Sequence, residues 1–315
     1  MKRSITGLVA VALASSMTVT MGTVAHAQAT EATVRDVLDA VAPEVLVDSV
    51  ASAVGSASVP IQLPETTIDP VVLDSQEGER EAITVHLPFT DLQHEAIEED
   101  GLVSYDNGNG STTVPVAKND GSLQVTTVIE AATAPIEYVY KFSAQDNLQV
   151  ELLDGGLVVL RDATGEPAGY VAPPWARDSD GQAVDTYYEV RGTELVQIVE
   201  HNVDGIAYPV VADPYLGQSL FRSAGGTTNI SLSKSSFGHA IHVAPGGQAI
   251  FLREGWAEAV SRKNVLRTKA TYKNQYDCHA IGGLFNFAGP TWDLEGYRTA
   301  RSDWAAGVVQ HRCNW

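Results

Sequence analysis

Residues 123–142 read LQVTTVIEAATAPIEYVYKF. Leu123, Val125 and Ile129, then Ile136, Tyr138, Tyr140 and Phe142, place apolar side chains at every second position, the period of a strand with one buried face. The β-branched and aromatic content fits that period. Working outward, similar short runs recur at Ile83–Leu87, Leu148–Leu152, Leu157–Leu160 and Leu195–Val199. Asn107-Gly108, Asn109-Gly110, Asp120-Gly121, Asp154-Gly155 and Asp180-Gly181 lie between or beside them and supply the positive φ angles of tight hairpins. Many short strands with turns at this spacing predict an antiparallel, sandwich-like or barrel-like sheet over 83–215. Trp175, after Pro173-Pro174, is expected to plug one end of its core, and the run Tyr208–Pro214 reads as the last strand before a boundary.

Toward the N-terminus the period changes. Val34, Val37, Leu38 and Val41 fall on one face of a helix within 31–54, which Pro43 should break or kink. The stretch 60–82, with Pro60, Pro64 and Pro70 and a Glu-rich end, reads as an extended connector. Residues 28–82 are thus a helical segment and a connector. Residues 1–27 have the three parts of an export signal. Lys2 and Arg3 are the positive start, Ile5–Ala14 the apolar run, and Ala25-His26-Ala27 the small-residue site, so cleavage is expected between Ala27 and Gln28. Ser15, Ser16, Thr18, Thr20 and Thr23 make the run too polar for a membrane anchor. No transmembrane segment is expected in the mature chain, and the expected location is extracellular.

Beyond the strands, 216–228 is rich in Gly, Ser and Thr and reads as a hinge. The remaining residues, 229–315, mix expected elements: strands at Ile230–Ser233 and Ala240–Val243, helical turns at Glu254–Val260 and Asp303–Val309. The overall expectation is a mainly β chain, with a small disulfide-closed α+β domain at its C-terminus. Charge divides the chain at the same place. Residues 28–215 carry 7 Lys and Arg against 33 Asp and Glu, whereas 216–315 carry 11 against 6. The two cysteines, Cys278 and Cys313, read as a disulfide in an exported protein. Closing a loop of about 36 residues stabilises by roughly 3–4 kcal/mol on the chain-entropy account. A catalytic thiol is the rival reading.

The C-terminal motifs Gln275-Tyr276-Asp277-Cys278-His279, Thr291-Trp292-Asp293-Leu294-Glu295 and Cys313-Asn314 resemble a secreted bacterial family known only as a domain of unknown function, number 2599. The resemblance covers roughly 230–315. The chain departs from the family pattern at Asp293, where Asn is usual, and at Gly296-Tyr297, where a Pro-Trp-like pair is usual. The segment from Ala172-Pro173-Pro174-Trp175-Ala176 through Tyr208–Pro214 is similar to an N-terminal region of many secreted actinobacterial proteins. These resemblances imply a secreted module carrier and attach no activity to it.

Three groups of residues invite chemistry. His279 follows Cys278 and His311 precedes Cys313 by two, so a bridge is expected to bring the two imidazoles near each other, with Asp293, Glu295 and Arg298 in the same loop. A histidine with a carboxylate is the minimum for acid–base catalysis, and two histidines with a carboxylate are a minimal zinc set. The competing reading makes His279 a core residue and Glu295–Arg298 a local ion pair. His239 and His242 would face opposite ways on a strand. A helix would align them, but Pro245-Gly246-Gly247 argues against one. Asp178-Ser179-Asp180-Gly181-Gln182 with Glu189 resembles a calcium loop, yet the sixth position, which requires Gly, is Ala183. There is no Gly-x-Ser-x-Gly elbow, phosphate-binding loop or His-Glu-x-x-His.

The collective signal is basic and aromatic. Lys273, Arg298 and Arg301, with Trp292 and Trp304, are the expected binding residues for an anionic polymer. Tryptophans filling a small core are the competing reading. Three functions follow as expectations. The first is a non-enzymatic secreted module that binds an anionic envelope polymer or a protein partner, nucleic acid being a further possible anion. The second is a secreted hydrolase or antibacterial effector acting through His279, His311 and Glu295, masked by the acidic half. The third is an envelope structural protein. No cofactor or metal is expected.

Overall fold

The computed structural model describes residues 32–55, 61–74, 80–144, 148–283, 289–313 and 315. The expected export signal and its expected cleavage site lie outside the described residues. Helix α1 (Val34–Val41) opens on a capping box: Thr33 accepts from the Asp36 N–H while the Asp36 carboxylate accepts from the Thr33 N–H. It ends before Pro43, which starts a short 3-10 turn. Leu38 and Val41 are buried against Leu102, Val114, Val116, Val128 and Val211 of the large sheet.

The chain is mainly β, and its sheets are antiparallel. One sheet orders its strands Ile61–Gln62, Val71–Leu73, Ile83–His86, Glu137–Ser143, Glu194–Val199, Thr186–Arg191. The larger sheet is built on the hairpin of Ser111–Ala117 with Leu123–Ile129 and continues through Tyr215–Gly217, Pro167–Val171 and Val158–Arg161. Tyr138, Tyr140, Phe142 and Leu195 of the first sheet share one core with Leu123, Val125, Ile129 and Leu160 of the second. The alternation in the opening stretch is therefore the inner face of a sandwich. At the turn before Ser111, Gly108 and Gly110 have φ of 66° and 81°, as Asn-Gly turns require.

Two segments differ from the sequence expectation. The connector 60–82 contributes two sheet strands, because Ile61 and Leu63, before Pro64, and Val71 and Leu73, after Pro70, all bury in the sandwich core. The stretch 216–228 is not a flexible hinge. Tyr215–Gly217 completes the large sheet, and Phe221–Gly225 starts a third sheet with Asn229–Lys234 and Thr291–Glu295.

The C-terminal part mixes that three-stranded sheet with helices α2 (Ser236–Val243), α3 (Gly247–Ile250), α4 (Trp256–Arg262), α5 (Ala270–Gly282) and α6 (Ala306–His311), plus a π-helical segment Phe251–Gly255. Its core is aromatic: Phe221, Phe237, Phe251, Tyr272, Tyr276 and Trp292 are buried. Leu157, Val159, Tyr170 and Ala172 of the large sheet belong to the same cluster. The acidic and basic parts thus share a core. Gly217 permits the closest approach, since a side-chain carbon there would lie 2.4 Å from the Phe237 ring.

Candidate functional site

Cys278 on α5 and Cys313 after α6 form the disulfide, with Cα atoms 5.6 Å apart. Val308, Ile281, Trp304 and Trp315 gather around it, so Trp304 is part of the packing that joins α6 to α5. The bridge gives the two nearby histidines different surroundings. His311 is exposed near Asp303. His279 is half-buried, with its Nε2 enclosed, and its ring lies parallel to Trp292 with centroids 5.6 Å apart. Burial lowers its pKa to about 4, against the pull of Asp293. It is neutral near pH 7 and packed into an aromatic wall. Among the described residues no group of three or more His, Cys, Asp or Glu is placed to hold a metal ion.

The residues expected to bind a polymer are mostly occupied locally. Trp292 is 0% exposed and is the centre of the aromatic core, in contact with Phe221, Phe251 and Tyr276, so a surface ligand has no face of it to stack on. Lys273 pairs with Asp277 one turn along α5 and lies 5.4 Å from the Trp256 ring. Arg298 pairs with Glu295 and donates to the Trp315 carbonyl. Arg301 pairs with Asp303 at 2.7 Å and covers the Trp315 ring. Arg298 and Arg301 therefore clamp the last residue against α5. Gln275 is also a pin. Its side chain accepts from the Glu295 N–H at 2.9 Å and donates to the Glu295 carbonyl at 3.1 Å, tying α5 to the Thr291–Glu295 strand.

His239 and His242 do share a helix. Ser235 caps α2 by accepting from the Gly238 N–H at 2.7 Å. Asp120 of the acidic part accepts from the Phe237 N–H at 3.0 Å, a favourable charge at a helix start. Pro245 and Gly246 follow the helix and end it, as they do after many helices, and so do not prevent it. Both imidazoles turn toward Lys234. Its Nζ lies 2.9 Å from His242 Nδ1 and 3.3 Å from His239 Nδ1. His242 Nε2 lies 2.8 Å from the Ala280 carbonyl. A carbonyl only accepts, so Nε2 carries the proton and Nδ1 is free to accept from the lysine. Lys234 is 3% exposed, and burial lowers its pKa to about 8. Burial and Lys234 lower His242 to about 4. The arrangement seats a cation at the edge of an aromatic core, 5.4 Å from the Trp292 ring.

The seam between the two parts is bridged by minority charges. Arg80 and Arg161, from the acidic part, pair with Glu258 at 3.4 Å and Glu254 at 3.3 Å, from the basic part. Glu258 also accepts from the N–H groups of Leu220 and Phe221, both at 3.0 Å. Arg80, Phe221, Glu254 and Glu258 line a cavity of about 650 Å³ together with Arg222, Arg262 and Ser261. Two of the six carboxylates of the basic part are thereby turned inward. Among the described residues no ion pair involves Lys263, Arg267 or Lys269, which lie in and beside the 3-10 turn between α4 and α5. Arg267 and Lys269 are exposed, and Lys269 also donates to the Gly296 carbonyl at 2.6 Å. The spacing Lys-x-x-x-Arg-x-Lys was the available signal for this patch, and the sequence alone does not say which cations are unpaired.

The calcium-like run is an Asp-Gly turn. Asp178 Oδ1 accepts from the N–H groups of Asp180 and Gln182, at 3.1 and 2.8 Å, and Gly181 has φ of 78°. Among the described residues, no helix is long and apolar enough to cross a membrane. No protein-family model matches the chain, and no curated protein matches it either.

Proposed function

We propose that the chain is an exported, non-enzymatic binding protein whose basic C-terminal surface engages an anionic polymer of the bacterial cell envelope. The observation that carries this reading is the charge sorting at the seam. Glu254 pairs with Arg161 and Arg253 and Glu258 with Arg80 and Arg262, while Lys263, Arg267 and Lys269 have no carboxylate partner among the described residues. Cations without a carboxylate partner, two of them exposed, raise the local concentration of a polyanion and lengthen its residence. The seam pairs run opposite to what masking of the basic part by the acidic part requires. His279, neutral and enclosed, is poorly suited to the hydrolytic alternative. Export rests on the first 27 residues and agrees with the disulfide.

The test uses the whole mature chain, because the basic part shares its core with Leu157, Val159 and Tyr170. Its binding to purified cell walls is measured against salt, before and after chemical removal of their anionic polymers. The expected result is binding that weakens steeply with salt and disappears with the polymers. Equal binding to stripped walls, or binding indifferent to salt, overturns the reading.

A further inference from the structure

The edge strand Phe221–Gly225 carries one residue more than its pairing needs. Phe221 stands opposite Lys234 and Ser223 opposite Ser233, which are neighbours on the partner strand, so Arg222 has no residue opposite it. It is the extra residue of a β-bulge, a device that re-aims a side chain. Phe221 is buried and Arg222 is exposed, and both line the seam cavity of about 650 Å³. Glu258 holds the backbone beside the bulge, accepting from the N–H groups of Leu220 and Phe221.

Most charges around the cavity are answered within the fold. Glu258 is held by Arg80 and Arg262, and Glu254 by Arg161 and Arg253. Asp120 accepts from the N–H groups of Ser122 and Phe237, and Asp162 from those of Thr164 and Glu166. On the wall from the C-terminal part, Arg222 is left over, with no carboxylate partner among the described residues. On the same wall the Ser219 hydroxyl accepts from Arg262 at 3.4 Å and has no acceptor for its own proton among the described residues. On the wall from the β part, Asp74, Glu81 and Glu166 are left over, exposed and without a side-chain hydrogen bond among the described residues. Gln218 ties the two walls together, donating to the Glu81 carbonyl at 2.8 Å and to the Ala168 carbonyl at 3.5 Å. The uncompensated charges thus face the cavity as one guanidinium on one side and carboxylates on the other.

We infer that the seam cavity binds a small zwitterion, a short peptide with both ends free, with its carboxylate on Arg222 and Ser219 and its ammonium toward Glu81 and Glu166. A guanidinium fork matches a carboxylate with two parallel hydrogen bonds, and a hydroxyl proton beside it adds a third. Carboxylates outnumber guanidiniums seven to three among the lining residues, so a phosphate dianion would be repelled by the opposite wall. A plain amine would leave Arg222 without its countercharge. The volume and the place, a cleft where two parts of a fold meet, are those of a small-ligand site. None of these residues belongs to the patch of Lys263, Arg267 and Lys269, so the site is separate from the one proposed for the anionic polymer.

The experiment titrates the full mature chain by calorimetry with alanylalanine, with its C-terminal amide and with its N-acetyl form. The free dipeptide is expected to bind at least about tenfold more tightly than either blocked form. Arg222→Gln should bring the dipeptide down to the affinity of the amide, which itself should not change. Glu81→Gln combined with Glu166→Gln should bring it down to the affinity of the acetylated form. Ser261→Trp, at an exposed position of the lining, should block the dipeptide and serves if Arg222→Gln fails to fold. A dipeptide that binds no more tightly than its blocked forms, unaltered binding in Arg222→Gln or Ser261→Trp, or no binding at all overturns the inference.

Discussion

The two parts of this chain solve the problem of a core differently. The β part buries its apolar residues between two sheets, and its central hairpin, Ser111–Ala117 with Leu123–Ile129, is buried along its whole length, with Thr113, Thr126 and Thr127 held inside by the ladder. The C-terminal part encloses an aromatic cluster together with Lys234, His242 and Gln275, with His279 half-buried at its edge. The difference shows where chemistry is held in check. In the first part a buried acid, Asp213, is pushed toward its neutral form. In the second, a buried lysine and two histidines are pushed toward theirs.

The comparison is broken most severely at Trp292. Replacing it with Ala removes the side chain that touches Phe221, Phe251, Tyr276 and His279, and is expected to cost about 3–5 kcal/mol. Denaturant unfolding followed by near-ultraviolet dichroism should show the C-terminal aromatic signal lost first, with the sheet signal retained longer. Simultaneous loss of both would mean that the shared core makes one cooperative unit.

Acid sharpens the comparison, because the two parts carry opposite signs. His242 and His279 have folded pKa values near 4, below the ordinary 6.5. Their contribution is complete above about pH 6.5 and is lost as the pH falls toward 4, by up to about 3 kcal/mol each. Asp213 is raised to about 7, so its contribution is complete near pH 4 and is lost as the pH rises through 7. Hydrogen exchange at about pH 4.5 should therefore show α2 and α5 opening while Val210–Asp213 stays protected. Reducing the disulfide should cost about 2–4 kcal/mol and be felt first at α6 and Trp315. Glu258→Gln at the seam should cost about 2 kcal/mol, since it weakens the pairs to Arg80 and Arg262 and sets an NH2, which cannot accept, against one of the two N–H groups of Leu220 and Phe221 that the carboxylate oxygens now hold.

The sandwich was legible because its alternation and its Asn-Gly turns are local signals. The disulfide followed from a cysteine count. The C-terminal part was harder to read for a physical reason. Helix α5 buries Thr271, Gln275 and Asp277 alongside Tyr272, Tyr276 and Cys278, so it shows no clean apolar stripe. Helix α2 carries a local start signal, Ser235, but Pro245-Gly246-Gly247 close behind it argues against a helix in the sequence, and the added charge of Asp120, more than a hundred residues away, is reported by no local pattern. Lys234 and the seam were missed for the same reason. Ion-pair partners are a property of the fold, and a list of basic residues does not separate Arg301, engaged by Asp303, from Arg267, which stands exposed.

The central claim is that the cations between α4 and α5 carry the binding. The most direct measurement compares the mature chain with its Lys263→Glu, Arg267→Glu, Lys269→Glu variant for wall binding across a salt series, alongside thermal melting of both. The account predicts an unchanged melting transition, loss of binding, and a salt slope flattened by about 1 per cation removed. A variant that melts normally and binds walls as the parent does would contradict it.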